Sequence, residues 1–260
     1  MSLSGARVVV TGGAGNVGSH VVDAVVAAGA REVIALDAMV RGVPENLAGA
    51  LRTGRARLVE LDIRDREAVR ANIDGADYVF HQAALRWTLC QEDPRLCHEV
   101  MVDGTFNVLE AAAEAKVKKL VLASSAVVYG EPKKLPIDED EPLTGTTVYG
   151  AAKVANEEMA RAFAHLRDLK ITALRYFNVY GPRMDVRSQY VEVMVRWLNL
   201  IDGGKPLTSG SSYRMRCITA GTVSATNAGR PVAAKIIVTP HAKMSTALVG
   251  RTPASCSGET

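Results

Sequence analysis

The chain has 260 residues, enough for one large domain or for one domain and part of a second. Hydrophobic residues make up 48% of the sequence and charged residues 23%, the ordinary proportions of a soluble globular protein with a sizeable core. No basic stretch is interleaved with aromatic residues, and no apolar run reaches the roughly 18 residues of a membrane-spanning helix, so we expect neither a nucleic-acid partner nor a membrane anchor.

Strands and helices are predicted to alternate along residues 1–177. Short runs of Val, Ile and Leu, typical of parallel strands buried on both faces, fall at Arg7–Thr11, Glu32–Leu36, Arg57–Leu61, Tyr78–Phe80, Leu120–Ser124 and Thr172–Tyr176. Helical stretches lie between them at Val17–Ala28, Arg66–Ile73, Arg95–Ala115 and Tyr149–Leu166. This alternation predicts an α/β fold with a Rossmann-type doubly wound parallel sheet, whose ligand crevice lies at the carboxyl ends of the strands.

The composition changes near Leu207. Residues 208–260 hold six of the 31 basic residues but one of the 28 acidic residues, and Tyr213 is their only aromatic residue. We find no sustained helical or strand period there and predict an irregular tail.

The cysteines at positions 90, 97, 217 and 256 lack the spacing of metal ligands, so we predict no metal site. We interpret them as buried or free thiols of a reducing compartment. The N-terminus runs directly into the first predicted strand without a signal-peptide pattern, and a cytoplasmic protein is therefore expected.

Three glycines between the first predicted strand and the first predicted helix have the spacing of a dinucleotide-binding loop. Gly12 permits a sharp turn, Gly15 lets backbone amides reach a diphosphate, and Gly18 lets helix and strand pack closely. The helix N-terminus at Asn16 and Val17 offers unpaired N–H groups and a partial positive charge to the phosphates. The alternative is that the glycines serve only a tight turn.

Asp37 follows the second predicted strand, 19 residues after Gly18. A carboxylate there accepts hydrogen bonds from a ribose 2′-hydroxyl and repels a 2′-phosphate, which favours NAD over NADP. Arg41 lies nearby and is able to accommodate a phosphate, which is an argument for NADP. The alternative for Asp37 is a purely structural role in the turn at the end of the strand.

Tyr149 and Lys153 lie four residues apart at the start of a predicted helix, and therefore on one face of it. A phenol with its ordinary pKa near 10 is a poor base, and a nearby ammonium favours the phenolate, so the spacing suits a tyrosine base tuned by a lysine. Ser124 and Ser125 end the fifth predicted strand, where a hydroxyl is able to bond a reacting oxygen. The alternative for Tyr149 and Lys153 is an exposed pair on a helix without a catalytic role, and the alternative for the serines is a turn at the strand end.

These motifs together resemble the extended short-chain dehydrogenase/reductase family, and within it the sugar-nucleotide enzymes similar to UDP-glucose 4-epimerase. The resemblance covers residues 5–207 and rests on segments that occur in the family's order: Thr11–His20, Asp37, Asp62–Ile63, His81–Ala84, Ser124–Gly130, Tyr149–Lys153 and Arg175–Arg183.

The resemblance implies roles for individual residues. Ser125, Tyr149 and Lys153 would be the catalytic set, and Ser125 and Asn178 would contact the nucleotide sugar. The remaining implied cofactor contacts are Asp62 and Ile63 beside the adenine, Ala83 and Ala84 under the nicotinamide ribose, and Tyr176 beside the nicotinamide.

The activity implied by the resemblance is NAD-dependent epimerisation at C4 of a nucleotide sugar, with a UDP-hexose as substrate. Family members that dehydrate or decarboxylate the sugar carry acids directly after the catalytic Ser/Thr, where this chain has Ala126 and Val127. Two alternatives stay open: a sugar-nucleotide dehydrogenase or reductase that releases its cofactor, and a truncated, non-catalytic NAD-binding protein.

Three positions depart from the family's pattern. Asn16 stands where the family has an aromatic residue, and Met101 where an asparagine supports the tyrosine. After Leu207 the family's Gly-Asp-Gly turn is replaced by Thr208–Ser212 and nothing recognisable follows. We therefore expect an NAD-binding domain at 1–177, the start of a substrate-binding domain at 178–207, and an atypical tail at 208–260, frameshifted or disordered.

The resemblance also implies a homodimer. Helices 95–115 and 149–166 carry small apolar residues that allow close helix packing, and family members pair these helices. Packing on the sheet of one chain is compatible with the same residues.

Overall fold

A single sheet organises the protein in the computed structural model, which describes residues 3–133, 135–185, 202–203, 223–227 and 230–234. Within these ranges the strands are β1 (Arg7–Thr11), β2 (Glu32–Asp37), β3 (Ala56–Glu60), β4 (Tyr78–His81), β5 (Lys119–Ser125), β6 (Ile171–Tyr176), β7 (Val223–Asn227) and β8 (Arg230–Ala234). Their order is β3-β2-β1-β4-β5-β6-β7-β8. The first six strands are parallel, and their order reverses between β1 and β4. The predicted Rossmann-type sheet is confirmed.

The helices within the described ranges are α1 (Asn16–Ala27), α2 (Ala48–Arg52), α3 (Arg66–Ile73), α4 (Trp87–Glu92), α5 (Pro94–His98), α6 (Gly104–Glu114) and α7 (Val148–Arg167). The single helix predicted over 95–115 is divided into α5 and α6 by a π-helical turn, Glu99–Asp103. Helix α7 begins as predicted, because the Thr147 side chain accepts a hydrogen bond from the amide of Gly150 at 3.0 Å.

Both faces of the sheet are buried, as its unalternating apolar strands predict. Val8 and Val10 of β1 belong to the cluster that packs with α1 and α2, whereas Val9 points into the cluster with α3, α6 and α7. All three side chains are fully buried, and each contributes about 1.5–3 kcal/mol by leaving water. The two layers hold the carboxyl ends of β1, β4 and β5 in fixed positions beside one another.

The tail contains regular structure, which corrects the prediction that it is irregular. β7 pairs antiparallel with β6, and β8 pairs antiparallel with β7. Without them β6 would be an open sheet edge, whose unpaired backbone groups accept an extended segment with little regard to its side chains. The predicted boundary at residue 207 lies outside the described residues.

The Cys90–Cys97 pair corrects the prediction of free thiols. Both side chains are fully buried, and their sulfurs form a disulfide between α4 and α5, with the Cα atoms 4.8 Å apart. The helical turns on either side of Asp93 bring together two residues that sequence spacing alone did not pair. Cys217 and Cys256 lie outside the described residues. Among the described helices, none has both the length and the apolar character needed to cross a bilayer.

Candidate active site

The glycine-rich loop is built by close contact between backbones. Gly12 follows β1 with φ +66°, and a Cβ there would lie 2.7 Å from the amide nitrogen of Ala83. A Cβ on Gly18 would overlap the carbonyl oxygen of Gly12. Only glycine fits at positions 12 and 18. Because neither residue carries a side chain, the loop is able to pass between the end of β4 and the first turn of α1.

The first turn of α1 fits the diphosphate of NAD. Gly15 caps the helix without any side-chain hydrogen bond to its first amides, and no acidic residue lies in that turn. A Cβ on Gly15 would meet only the Gly12 carbonyl oxygen at 3.3 Å, so the approach to these amides is open. Asn16 and Val17 are half-buried there, and Ser19 Oγ donates to the Asn16 carbonyl at 3.0 Å. Free amides at a helix N-terminus are the donors that a diphosphate requires.

Asp37 stands at the end of β2 beside this loop. Its carboxylate accepts the amide of Ala14 at 2.9 Å and the amide of Met39 at 2.9 Å, and the residue is 9% exposed. Each oxygen keeps a second lone pair, so the carboxylate remains able to bind a ribose hydroxyl. Arg41, the counter-indication for NAD, is bound to Asp185 at 3.1 Å.

The predicted adenine contacts lie after β3. Asp62 accepts two hydrogen bonds from the Arg64 guanidinium, and this partner holds the pKa of Asp62 below its ordinary value. Ile63 is 5% exposed and packs against Gly104 at the start of α6. Their contact with adenine stays a prediction.

The predicted floor of the nicotinamide site follows β4. The Ala83 amide donates to Thr11 Oγ1 at 3.2 Å, and this hydrogen bond connects the segment after β4 to the phosphate loop. Ala84 is exposed. Tyr176, at the end of β6, donates its hydroxyl to Gln82 Oε1 at 3.2 Å, and burial raises the pKa of this tyrosine. Gln82 Nε2 is buried and has no protein partner, so the segment after β4 offers one more hydrogen-bond donor to a bound group.

The three predicted catalytic side chains lie together where β5 meets α7. Ser125 Oγ accepts the amide of Val127 at 3.3 Å, and its hydroxyl lies close enough to Tyr149 to lower the pKa of that tyrosine. The Lys153 ammonium lies 5.8 Å from the centre of the Tyr149 ring. Lys153 is 3% exposed and donates to the carbonyl oxygen of Ala123 at 2.7 Å.

Burial dominates the acid–base behaviour of this set. It raises the pKa of Tyr149 above the ordinary value, and the hydrogen bond with Ser125 opposes that rise. Burial lowers the pKa of Lys153 to about 8, against the attraction of the Glu157 carboxylate. A tyrosine in this state needs a positive charge nearby to act as a base, and Lys153 is placed to supply it.

Two buried polar groups beneath the site did not emerge from the sequence motifs as functional residues. His81 bonds Thr11 Oγ1 through Nδ1 at 2.6 Å and Thr105 Oγ1 through Nε2 at 3.0 Å. Arg175 pairs with Glu157, and both side chains are almost fully buried. The available signal for Arg175 was a charged residue inside an apolar strand, which usually marks a buried partner.

Met101 and Asn178 differ in their burial: Met101 is fully buried, and Asn178 is exposed. Met101, which replaces the expected asparagine, is fully buried in the π-helical turn, where it packs in a cluster with Tyr149 and Ala152. Its Sδ accepts the amide of Leu85 at 3.2 Å. Asn178 is exposed just beyond β6, and its contact with phosphate stays a prediction.

A parallel sheet that ends in this phosphate loop, with Ser125, Tyr149 and Lys153 beside it, defines an NAD-dependent enzyme domain of the extended short-chain dehydrogenase/reductase type. A family model described as the NAD dependent epimerase/dehydratase family matches residues 8–216. The chain belongs to this family.

Individual relatives agree with this assignment. A putative UDP-glucose 4-epimerase of Methanocaldococcus jannaschii is 33% identical over 212 residues, which cover 80% of this chain and 68% of the relative. A solved UDP-N-acetylglucosamine 4-epimerase from Methanobrevibacter ruminantium, in complex with UDP-N-acetylmuramic acid, matches with a TM-score of 0.73 and 32% identity, over 78% of this chain and 64% of that one.

Thermus thermophilus UDP-glucose 4-epimerase, solved in complex with NAD, matches with a TM-score of 0.68 and 36% identity, over 77% of this chain and 64% of that one. The chain spans 46% to 68% of the lengths of three curated relatives that it matches.

Proposed function

We propose that the protein epimerises a nucleotide sugar at C4, with a UDP-hexose as substrate, by transient oxidation to a 4-keto sugar. The observation that carries the proposal is the joint placement of Ser125, Tyr149 and Lys153 at the end of β5, beside a loop that fits NAD. Two of the relatives reported above are named as UDP-glucose 4-epimerases.

Tyr149 takes the proton from the sugar 4-hydroxyl in the forward direction and returns it afterwards. Ser125, whose hydroxyl lies beside Tyr149, orients the reacting oxygen. Lys153 holds a positive charge 5.8 Å from the tyrosine ring and stabilises the phenolate. NAD, held by the loop of Gly12, Gly15 and Gly18, would supply the hydride chemistry at C4 of the sugar.

The absence of an acid next to Ser125 favours epimerisation over dehydration. Residues Ala126–Tyr129 form a short 3-10 helix directly after the serine, and Val128 and Tyr129 within it are buried. Eliminating water from the sugar needs a general acid near the leaving hydroxyl. Ala126 and Val127 supply none at the positions where dehydrating family members carry one.

A non-catalytic NAD-binding protein is the second candidate. Asn178, the residue expected to contact the sugar nucleotide, is exposed. An NAD-dependent dehydrogenase that releases its cofactor is the remaining alternative.

A homodimer through α6 and α7 belongs to the same proposal. Phe106 on α6 is 42% exposed and packs edge-on against Phe163 on α7, with 5.4 Å between the ring centres. An apolar surface therefore lies on the two helices that the prediction names.

The decisive experiment measures cofactor and turnover on one preparation. The protein is denatured to identify any nicotinamide nucleotide it retains, and the folded protein is incubated with UDP-glucose or UDP-N-acetylglucosamine, with chromatography of the products. Near one NAD per chain and interconversion of C4 epimers are expected. NAD without turnover would favour the non-catalytic candidate, and net NADH formation the dehydrogenase.

Tyr149→Phe tests the assignment of the base. We expect turnover to fall about 10²- to 10⁴-fold with NAD content unchanged, because only the proton-transfer group is lost. Tyr78→Phe is the matched control, since Tyr78 is a buried tyrosine at the opposite end of β4. Full activity in Tyr149→Phe would contradict the mechanism.

A further inference from the structure

Three successive residues at the end of β5 lie against three residues of α7. The Ala123 carbonyl accepts Lys153 Nζ at 2.7 Å, Ser124 Oγ bonds the Glu157 carboxylate, and Ser125 lies beside Tyr149. Residues 149, 153 and 157 are spaced by four and lie on one face of the helix. On the helix Lys153 lies between Tyr149 and Glu157, and Glu157 lies one turn after Lys153.

Glu157 is held by a buried ion pair. Arg175 Nε donates to Oε1 at 3.0 Å and Nη2 to Oε2 at 2.7 Å, while the two side chains are 4% and 2% exposed. The guanidinium also donates to the Tyr129 hydroxyl at 2.9 Å and the Glu139 carbonyl at 2.9 Å. A carboxylate fixed by two parallel bonds keeps its charge and position in a dry environment.

Glu157 is also the acid that acts on Lys153. Burial favours loss of the lysine proton, and the Glu157 charge opposes that loss. Two further groups surround Lys153: β4 contributes His81, which burial keeps neutral, and α7 itself contributes the Tyr149 ring. The acids Glu99 and Glu110, on segments that adjoin α7, instead bind arginines at the surface.

We propose that Glu157 is a positioning residue for the Tyr149–Lys153 pair: its carboxylate, locked by Arg175 and Ser124, fixes the end of β5 against α7 and places a negative charge one helical turn from Lys153. The inference rests on the proposed function, because it assumes that Lys153 acts as a cation beside the base. A core ion pair of purely structural value would leave the ionisation of Lys153 unchanged.

Glu157→Gln removes the charge while keeping the shape of the side chain. Because the buried lysine titrates near pH 8, loss of the neighbouring carboxylate is expected to lower the pKa of Lys153 by about one further unit. Glu157→Asp keeps the charge and is expected to restore most of the shift. Glu158→Gln is the matched control, because Glu158 is the next residue and its side chain is 54% exposed.

The measurement is a pH titration of the Lys153 Cε resonance by NMR, in protein labelled with ¹³C at lysine Cε and assigned by its loss in Lys153→Met. This readout needs no turnover. If the wild type does not epimerise sugars, the proposed function fails while the titration still decides the role of Glu157. Where turnover exists, the alkaline fall of kcat in Glu157→Gln is expected to begin at lower pH, with KM for the sugar unchanged.

Glu157→Gln leaves Arg175 buried without its partner, which is costly enough to threaten folding. The double variant Glu157→Gln/Arg175→Gln removes both charges and avoids this. Because Glu157 is the acid that acts on Lys153 and Arg175 carries the opposite charge, the double variant is expected to lower the Lys153 pKa in the same direction but by less. A Lys153 titration unchanged in whichever of these variants folds, or shifted equally by Glu158→Gln, would overturn the proposal.

Discussion

Replacing His81 with asparagine is expected to make the stability of the protein less sensitive to acid. His81 is 2% exposed and its ring nitrogens bond the hydroxyls of Thr11 and Thr105. Burial lowers the pKa of His81 to about 3, from an ordinary 6.5, and the charge of Lys153 adds to the effect. The folded protein therefore keeps this ring neutral at pH values where the unfolded chain binds a proton.

The sign of the effect follows from this difference in proton binding. Above pH 6.5 neither state is protonated at His81, and the full stability is present. As the pH falls towards 3, His81 binds a proton in the unfolded chain but not in the folded protein, and stability is lost. At 1.36 kcal/mol per pKa unit, this single group costs about 2 kcal/mol at pH 5 and about 4 kcal/mol at pH 3.

Urea unfolding at pH 8, 6 and 5 measures this difference. At pH 8 His81→Asn is expected to be about 1–3 kcal/mol less stable than the wild type, because one threonine hydroxyl loses its partner. Between pH 8 and 5 the wild type is expected to lose about 2 kcal/mol more than the variant. Carboxylates that bind protons in this range contribute equally to both proteins and cancel.

His165→Asn is the control, since His165 lies exposed on the last turn of α7. This variant is expected to follow the wild-type pH dependence. Equal losses of stability in His81→Asn and wild type between pH 8 and 5 would refute the reasoning, because they would mean that His81 gains its proton in both states.

Two further predictions concern the cofactor loop. Gly18→Ala places a methyl group on the Gly12 carbonyl oxygen, so we expect it to lower the free energy of unfolding by about 1–3 kcal/mol and to abolish retained NAD. Gly49→Ala is the control: its Cβ would meet only a side-chain oxygen at 3.9 Å, and we expect it to stabilise α2 slightly. Unfolding curves and nucleotide content of both variants check this, and equal NAD content in the two would contradict it. Asp37→Ser removes the carboxylate beside the loop and is expected to weaken the binding of NAD about tenfold or more and to strengthen the binding of NADP. Calorimetric titration with both nucleotides is the test, and an unchanged preference would exclude Asp37 as the residue that selects between them.

Local sequence determined the elements of the fold and the outline of the site. The six parallel strands, the glycine loop and the start of α7 were predictable because each depends on residues close together in the chain: runs of Val and Ile, glycines three apart, and the cap at Thr147. The spacing of Tyr149 and Lys153 determined that they share a helix face. The site roles of these residues remain predictions.

The tertiary structure decided which distant side chains meet. Ser125 reaches Tyr149, and Arg175 reaches Glu157, only because β5, β6 and α7 are packed in one register. The pairing of β7 with β6 and the Cys90–Cys97 disulfide were missed for the same reason. Such contacts depend on the mutual placement of elements, which single-residue patterns do not encode. The acid–base properties of Lys153 depend on burial, which exists only once those elements have assembled.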